Sequence, residues 1–346
     1  MELKRLAFAI LRLAGLLFSV TLVAFLLVEF SPIDPIAQYI NDLQGISDEQ
    51  IAQIAALWGQ DQPWWQRYFG WLGGLLTGDM GTSYIYRRDV ADILAYAVSN
   101  SLILMAVSWV LSAVIGYGLG VLAGARKGGI LDRIIVAITY LLTSTPTFVV
   151  GLVLIMIFAV YLGWVPIGMS QPLGMLSDEV TFADRFRHAL MPAITVALVG
   201  ISSVTLHTRQ AMVAFMDSDV VRFARSRGMS TATIVWRQGI RNTIVPAIML
   251  QFTTLSSLVG GSVLAETVFS YHGLGSTITQ AGLNGDVPLL LGAVVITAVV
   301  VFVGNLLADI IAVALEPRMK KSKQAQEKHG KEPGDALNAV PASTHP

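Results

Sequence analysis

Apolar positions fall into six long runs along the chain, separated by polar segments. The first, 6–30, follows Lys4 and Arg5 and is about as long as a helix must be to cross a bilayer. A cleaved leader would have a shorter apolar core ending in a small-residue site. Ser31-Pro32-Ile33-Asp34-Pro35 follows instead, so the run reads as an uncleaved first span with its N-terminus in the cytoplasm. Further spans are expected at about 99–123, 134–162, 189–209, 246–266 and 288–314. The third has 29 residues. At about 1.5 Å per residue it is some 43 Å long, against a hydrocarbon core of about 30 Å. Pro146 should kink it, with Ser144 and Thr145 taking up freed carbonyls. Pro192 falls in the first turn of the fourth span.

The polar segments have patterns of their own. Within 31–98, Ser47 and Gln50 form a capping box, and Ile51, Ile54 and Trp58 then share one helix face. Pro63 opens a second amphipathic helix. Trp58, Trp64, Trp65 and Trp71 crowd there with Tyr68 and Phe69, which suits the headgroup level or, alternatively, a small core. Residues 125–133 form a basic turn and 163–188 an outer loop. The polar tail reads as disorder. The expected divisions are therefore 1–30, 31–98, 99–316 with a cytoplasmic loop at about 210–245, and 317–346.

Composition places the chain in the membrane: 54% of residues are hydrophobic and 13% charged, where soluble domains carry about 25% charge. The fold class is an all-α integral membrane protein with six transmembrane helices and both termini cytoplasmic. A formal net charge of zero conceals an asymmetry. With the N-terminus inside, twelve Lys and Arg lie on the inner side even without the tail, against five outside, which fixes the orientation. The chain has no cysteine, and its five histidines show no metal-ligand spacing. No G-x-x-x-x-G-K-[ST] occurs, so any ATPase would be a separate chain. Nothing points to nucleic acid. Sparse charge within the spans argues against a proton-coupled carrier, and no paired catalytic residues argue for an intramembrane enzyme.

Two stripes of small residues recur at four-residue spacing: Ser108, Ser112, Gly116, Gly120 and Gly124 in span two, and Thr253, Ser257, Gly261 and Ala265 in span five. Each would let another backbone approach closely, within the subunit or along a moving seam. Arg12, Glu29, His207, Arg209, Glu266 and Asp309 lie within spans or at their ends. Glu266 precedes FSYHGLG, whose glycines suggest a re-entrant turn. It would either accept hydrogen bonds from the turn's amides or, with Phe269, Gly273 and Gly275, line a translocation entrance.

The segment Asp219–Pro246 is polar between two apolar runs. It carries Arg222, Arg225, Arg227, Arg237 and Arg241, with Asp219 as its one acid. Gly228 interrupts a helical pattern, and Ser230 would cap a second helix ending near Asn242, before Pro246. Chemistry alone leaves two readings open: an ordinary basic loop, or a docking surface.

ARSRG over 224–228, then Arg241-Asn242 and Pro246, resembles the coupling-loop signature of ABC importer permeases of the peptide/opine/nickel family. Matching pieces elsewhere keep the family's order: Pro32 with Asp34-Pro35, Gly78-Asp79 with Gly81 and Ser83, Gly120–Gly124, Pro146 with Phe148, Gly163-Trp164 with Pro166, Glu266–Phe269, Gly273–Gly275, and Asp286 with Pro288. Arg222, Phe223 and Ala224 stand where the general importer consensus has Glu-Ala-Ala. The resemblance implies a type I importer permease fold in a bacterial inner membrane. Its partners would be a second, homologous permease, two cytoplasmic ATPases holding ATP and Mg, and an extracytoplasmic solute-binding protein; the chain itself would hold no cofactor or metal. It implies di- or oligopeptide cargo, with nickel or a metal–opine chelate as the alternative. The 163–188 loop and the 34–40 stretch lean toward that alternative. A stand-alone secondary transporter is the more distant possibility.

Overall fold

The computed structural model describes residues 2–32, 36–37, 47–59, 61–172, 174 and 179–315. The tail 317–346, Asp34, Pro35 and the Asp309 side chain lie outside the described residues. Helices α1 (Glu2–Glu29), α4 (Val90–Ala125), α7 (Phe182–Met216) and α13 (Val287–Leu315) each contain a run long and apolar enough to cross a membrane. Two bent helix pairs are also long and apolar enough when each is counted as one span, which makes four to six candidate spans among the described residues. α5 (Ile130–Ser144) meets α6 (Thr147–Leu154, continued as a π-helical turn to Tyr161) at 107°. α9 (Thr231–Ile234), a π-helical turn Val235–Gly239 and α10 (Ile240–Thr253) lead into α11 (Leu255–Val268) across a 61° bend.

Three expectations need correction. The break at Pro146 is far sharper than a kink: Thr145 is extended, and its hydroxyl donates to Leu141 O at 2.7 Å. Span four starts at Phe182, where Thr181 and Asp184 form a capping box, so Pro192 lies inside the helix and not in its first turn. The helix after Gly228 does not end before Pro246 but runs on through it to Thr253. Side chains add hydrogen bonds to carbonyls where the π turn rejoins the α-helix. Asn242 Nδ2 donates to Gln238 O, Thr243 to Gly239 O, and Tyr117 to Ile240 O, at 2.8–3.1 Å.

The aromatic segment divides its residues. In α3 (Trp64–Thr77), Tyr68 is fully buried against Phe25 and Leu291 and shares a 2.9 Å hydrogen bond with Thr21, whereas Trp65 and Phe69 face outward. An Arg67–Glu29 ion pair fastens α3 to the end of α1. The short α2 (Asp48–Leu57) carries the capping box expected at Ser47.

The central contact is α4 against α7, lying parallel. A Cβ on Gly116, Gly120 or Gly124 would stand 2.5–2.8 Å from the Cβ of Val204, Thr208 or Met212 in turn. The stripe in span two therefore packs within the subunit and does not form an outer seam. In span five Ser257 is exposed, and a Cβ on Gly261 would make only an ordinary contact with Val196 at 3.8 Å.

Gly120→Ala should force α4 and α7 apart and lower stability by about 1–3 kcal/mol, as overpacking does. Gly118→Ala, where a Cβ meets open space, should be neutral or mildly stabilising. Thermal unfolding of the purified protein in detergent checks both, and equal melting temperatures would contradict the seam.

Candidate functional site

Loops sort to two ends of the helical body. At one end α8 (Asp219–Ser226) lies on an apolar base. Its Val221 and Ala224 are buried with Val121, Met212, Met216 and Ile234, so α8 rests on the ends of α4 and α7. Helical spacing turns Phe223 the other way, 65% exposed, with Val220, Arg222 and Arg225 also open. The resemblance places Ala224 in the coupling segment, where a docking surface would have it offer an outward contact. It does not, because its methyl belongs to the core cluster.

Gly228 ends α8 with φ +78°, a conformation that β-branched residues resist, but a Cβ there would meet open space. The glycine is needed for its backbone and not for room. Met229 N–H donates to Ala224 O at 3.2 Å, and Ser230 caps α9 through the Thr233 N–H at 3.3 Å. The Arg227 guanidinium lies 5.6 Å over the Phe223 ring. Asp219 pairs with Arg222 at the surface at 2.5 Å. Arg241, Asn242 and Pro246 are exposed further along, as is Trp236 at 77%.

Two contacts missed in the sequence brace this end. Asp132, 2% exposed, takes both Nε and an Nη of Arg209 at 2.5 and 2.7 Å and also the Gly128 N–H at 2.8 Å. Lys127 reaches Asp217 at 3.0 Å. The basic turn is thereby tied to the end of α7. An acid at 132 facing an arginine 77 positions away has no local signal in the sequence.

At the opposite end the residues expected to line an entrance are all buried. Glu266 is fully enclosed: Ser101 donates to it at 2.6 Å and the Ser276 N–H at 2.9 Å. Of its two possible roles the structure shows the first, a carboxylate organising the turn. Phe269 is 2% exposed and its carbonyl takes the Met169 N–H at 2.8 Å. A Cβ on Gly273 would fall 2.4 Å from the Glu266 carboxyl carbon, and one on Gly275 would meet Val263 at 2.5 Å. The turn sends the chain back as α12 (Leu274–Leu283) beside α11.

A second buried carboxylate, Asp286, joins segments two hundred residues apart. It accepts from Ser83 at 2.6 Å, from the Ile85 N–H at 3.0 Å and from the Leu289 N–H at 3.2 Å. Burial pushes its carboxyl above the usual carboxylate range, and its hydrogen bonds oppose that. Burial likewise raises the nearby Tyr84 hydroxyl to about 12, with Asp286 adding to the shift. Gly81 meets Pro288 here, so two separate motif pieces become one joint.

Glu266→Ala should strand the Ser101 hydroxyl and the Ser276 N–H and lower stability by about 2–4 kcal/mol, as loss of hydrogen bonds to a buried charge does. Ser101→Ala should cost less. Thermal unfolding of both variants checks the order, and a mild Glu266→Ala with a severe Ser101→Ala would refute it.

Residues 116–321 match the family described as binding-protein-dependent transport system inner membrane component. The chain is 31% identical to the oligopeptide transport system permease protein AppB of Bacillus subtilis, over 88% of this chain and 95% of that one. It is 29% identical to the di/tripeptide transport system permease protein DppB of Pseudomonas aeruginosa, with the same coverage. With the dipeptide transport system permease protein DppB of Escherichia coli the identity is 28%, over 91% of this chain and 99% of that one.

Proposed function

The chain belongs to the binding-protein-dependent transport system inner membrane components, multi-pass transport proteins of the bacterial inner membrane; from that premise we propose that it is a permease subunit of an ATP-driven importer of short peptides. Relatives named for oligopeptides, di- and tripeptides and dipeptides support peptide cargo over a nickel or metal–opine chelate. The chain forms half of a translocation path with a second, homologous permease. A solute-binding protein delivers cargo at the end bearing the Glu266 turn. ATP and Mg are held by two separate ATPases that dock at the arginine-rich end.

The observation that carries this reading is α8: a short helix whose inner face is locked to the ends of α4 and α7 and whose outer face presents Phe223. Such a helix transmits a push only if its base is rigid. Val221 and Ala224 supply that base, and the Asp132–Arg209 pair stiffens it. The arginines add charge complementarity at the rim, each worth under about 1 kcal/mol when solvated. The excess of Lys and Arg on this side supports a cytoplasmic location for it.

Phe223→Ala should weaken ATPase capture and uptake by about tenfold or more, as loss of a central aromatic anchor does. Gly228→Val should impair both through backbone strain, and Gly228→Ala should do so less. Pull-down of the ATPase and peptide uptake in the reconstituted complex are the measurements; wild-type values for both Phe223→Ala and Gly228→Val would reduce the segment to an ordinary basic loop. Single cysteines replacing Ser47 and Ser230 test the orientation in the natural cysteine-free background. An impermeant thiol reagent applied to spheroplasts should label the first and spare the second.

A further inference from the structure

The buried turn at Glu266 frames an open cleft beside it, and the cleft's lining differs from the rest of the surface. It has a volume of about 290 Å³, near the lower end of small-ligand sites. Arg88 and Asp92 stand in its wall with Tyr86, Tyr96, Gln171 and His272. Among the described residues neither Arg88 nor Asp92 makes an ion pair, although both face one cleft. Tyr96, Ser170, Gln171 and His272 are fixed by one another. Tyr96 Oη lies 3.0 Å from Ser170 Oγ and donates to Gln171 Oε1 at 2.9 Å. Ser170 is 1% exposed and its hydroxyl lies 3.4 Å from His272 Nδ1. Behind them Asn100, fully buried, donates to His272 O at 2.8 Å while its Oδ1 has no partner. Met169, which also lines the cleft, holds φ +71°, the kind of backbone strain that collects at ligand sites.

We propose that this cleft is a way-station for a zwitterionic short peptide on its path into the membrane, with Asp92 taking the ammonium terminus and Arg88 the carboxylate. The inference rests on the peptide-permease reading above. One cation and one anion without ion pairs make the lining of the cleft dipolar, and the Arg185 guanidinium, 5.5 Å over the ring of Tyr96, adds positive charge behind it. A solute of single sign would satisfy one wall and repel the other, whereas a free peptide carries both signs, about 7 Å apart for an extended dipeptide. Tyr86, and the side of the Tyr96 ring away from Arg185, supply flat, sequence-tolerant surfaces for the intervening backbone. The polar floor of Ser170, Gln171 and His272 is held in place before any ligand arrives. A cleft that reads termini and ignores side chains suits a carrier of varied short peptides.

The test uses the complete complex with its binding protein and ATPases in liposomes, with radiolabelled dialanine as the probe. The quantity read is peptide imported per ATP hydrolysed, while loaded binding protein is titrated. Asp92→Asn and Arg88→Gln should each lower that ratio by about tenfold, the scale of one lost hydrogen bond to a charge. The paired exchange Arg88→Asp with Asp92→Arg should restore part of it. A wild-type ratio in both single variants would overturn the proposal and leave a solvated pair of surface charges. A wild-type ratio with a raised half-stimulating concentration of binding protein would overturn it in favour of a protein-docking surface. If the unaltered complex hydrolyses ATP but imports no dialanine or longer peptide, the peptide reading itself falls, and this proposal with it.

Discussion

The close approach of α4 and α7 is the constraint on which the rest of the structure depends. Lipid offers helices no hydrophobic incentive to pair, so association rests on packing and on a few hydrogen bonds across the contact. Glycines at 116, 120 and 124 bring α4 within reach of α7 backbone carbonyls: a Cβ at Gly120 would stand 2.7 Å from Thr205 O. The same proximity lets Thr205 donate to Gly116 O at 3.2 Å and Ser108 to Ala193 O at 3.1 Å. Any larger residue at these positions would cost the dispersion contacts and these hydrogen bonds together.

Much of this fold was legible because membrane helices declare themselves by composition. The capping box at Ser47, the cap at Ser230 and the break at Gly228 all rest on local chemistry, and the structure has each of them; of the six apolar runs four are continuous helices and two are bent pairs. Local chemistry also misled. Pro246 reads as a stop signal, since proline removes a backbone donor, yet the helix continues through it to Thr253. Thr181 with Asp184 is a readable start signal for span four, but it lies upstream of the uninterrupted apolar sequence.

The site was legible in outline and not in its facing. ARSRG marks a helix and a turn, but which side of α8 is buried depends on Met212 and Met216, which belong to another helix. Ala224 therefore reads like a surface residue and sits in the core. Glu266, Gly273 and Gly275 attract attention for a related reason. They are unusual residues at a turn, and their peculiarity serves the turn's interior. The cleft beside them is lined from three separate chain segments, around 86–97, 169–171 and 272–277. No window along the sequence brings those together.

Span five is bound to α4 at three heights, and this bears on how a push at one end arrives at the other. Near the arginine-rich end Tyr117 donates to Ile240 O at 3.1 Å and lies 3.0 Å from Thr243 Oγ1. At mid-depth, beside the 61° bend, Gln251 Nε2 donates to Trp109 O at 2.8 Å and Trp109 Nε1 donates to Gln251 O at 3.1 Å. At the far end Ser101 holds Glu266 at 2.6 Å, and Asn100 holds His272 O at 2.8 Å. Sliding span five along α4 would break bonds at every level in a medium that offers no water to replace them. With α7 joined to α4 by the glycine seam, α4, α7 and span five move together or not at all. A displacement imposed through α8 under the proposed docking would act on this one packed unit, which also carries the turn and the wall of the cleft at the opposite end.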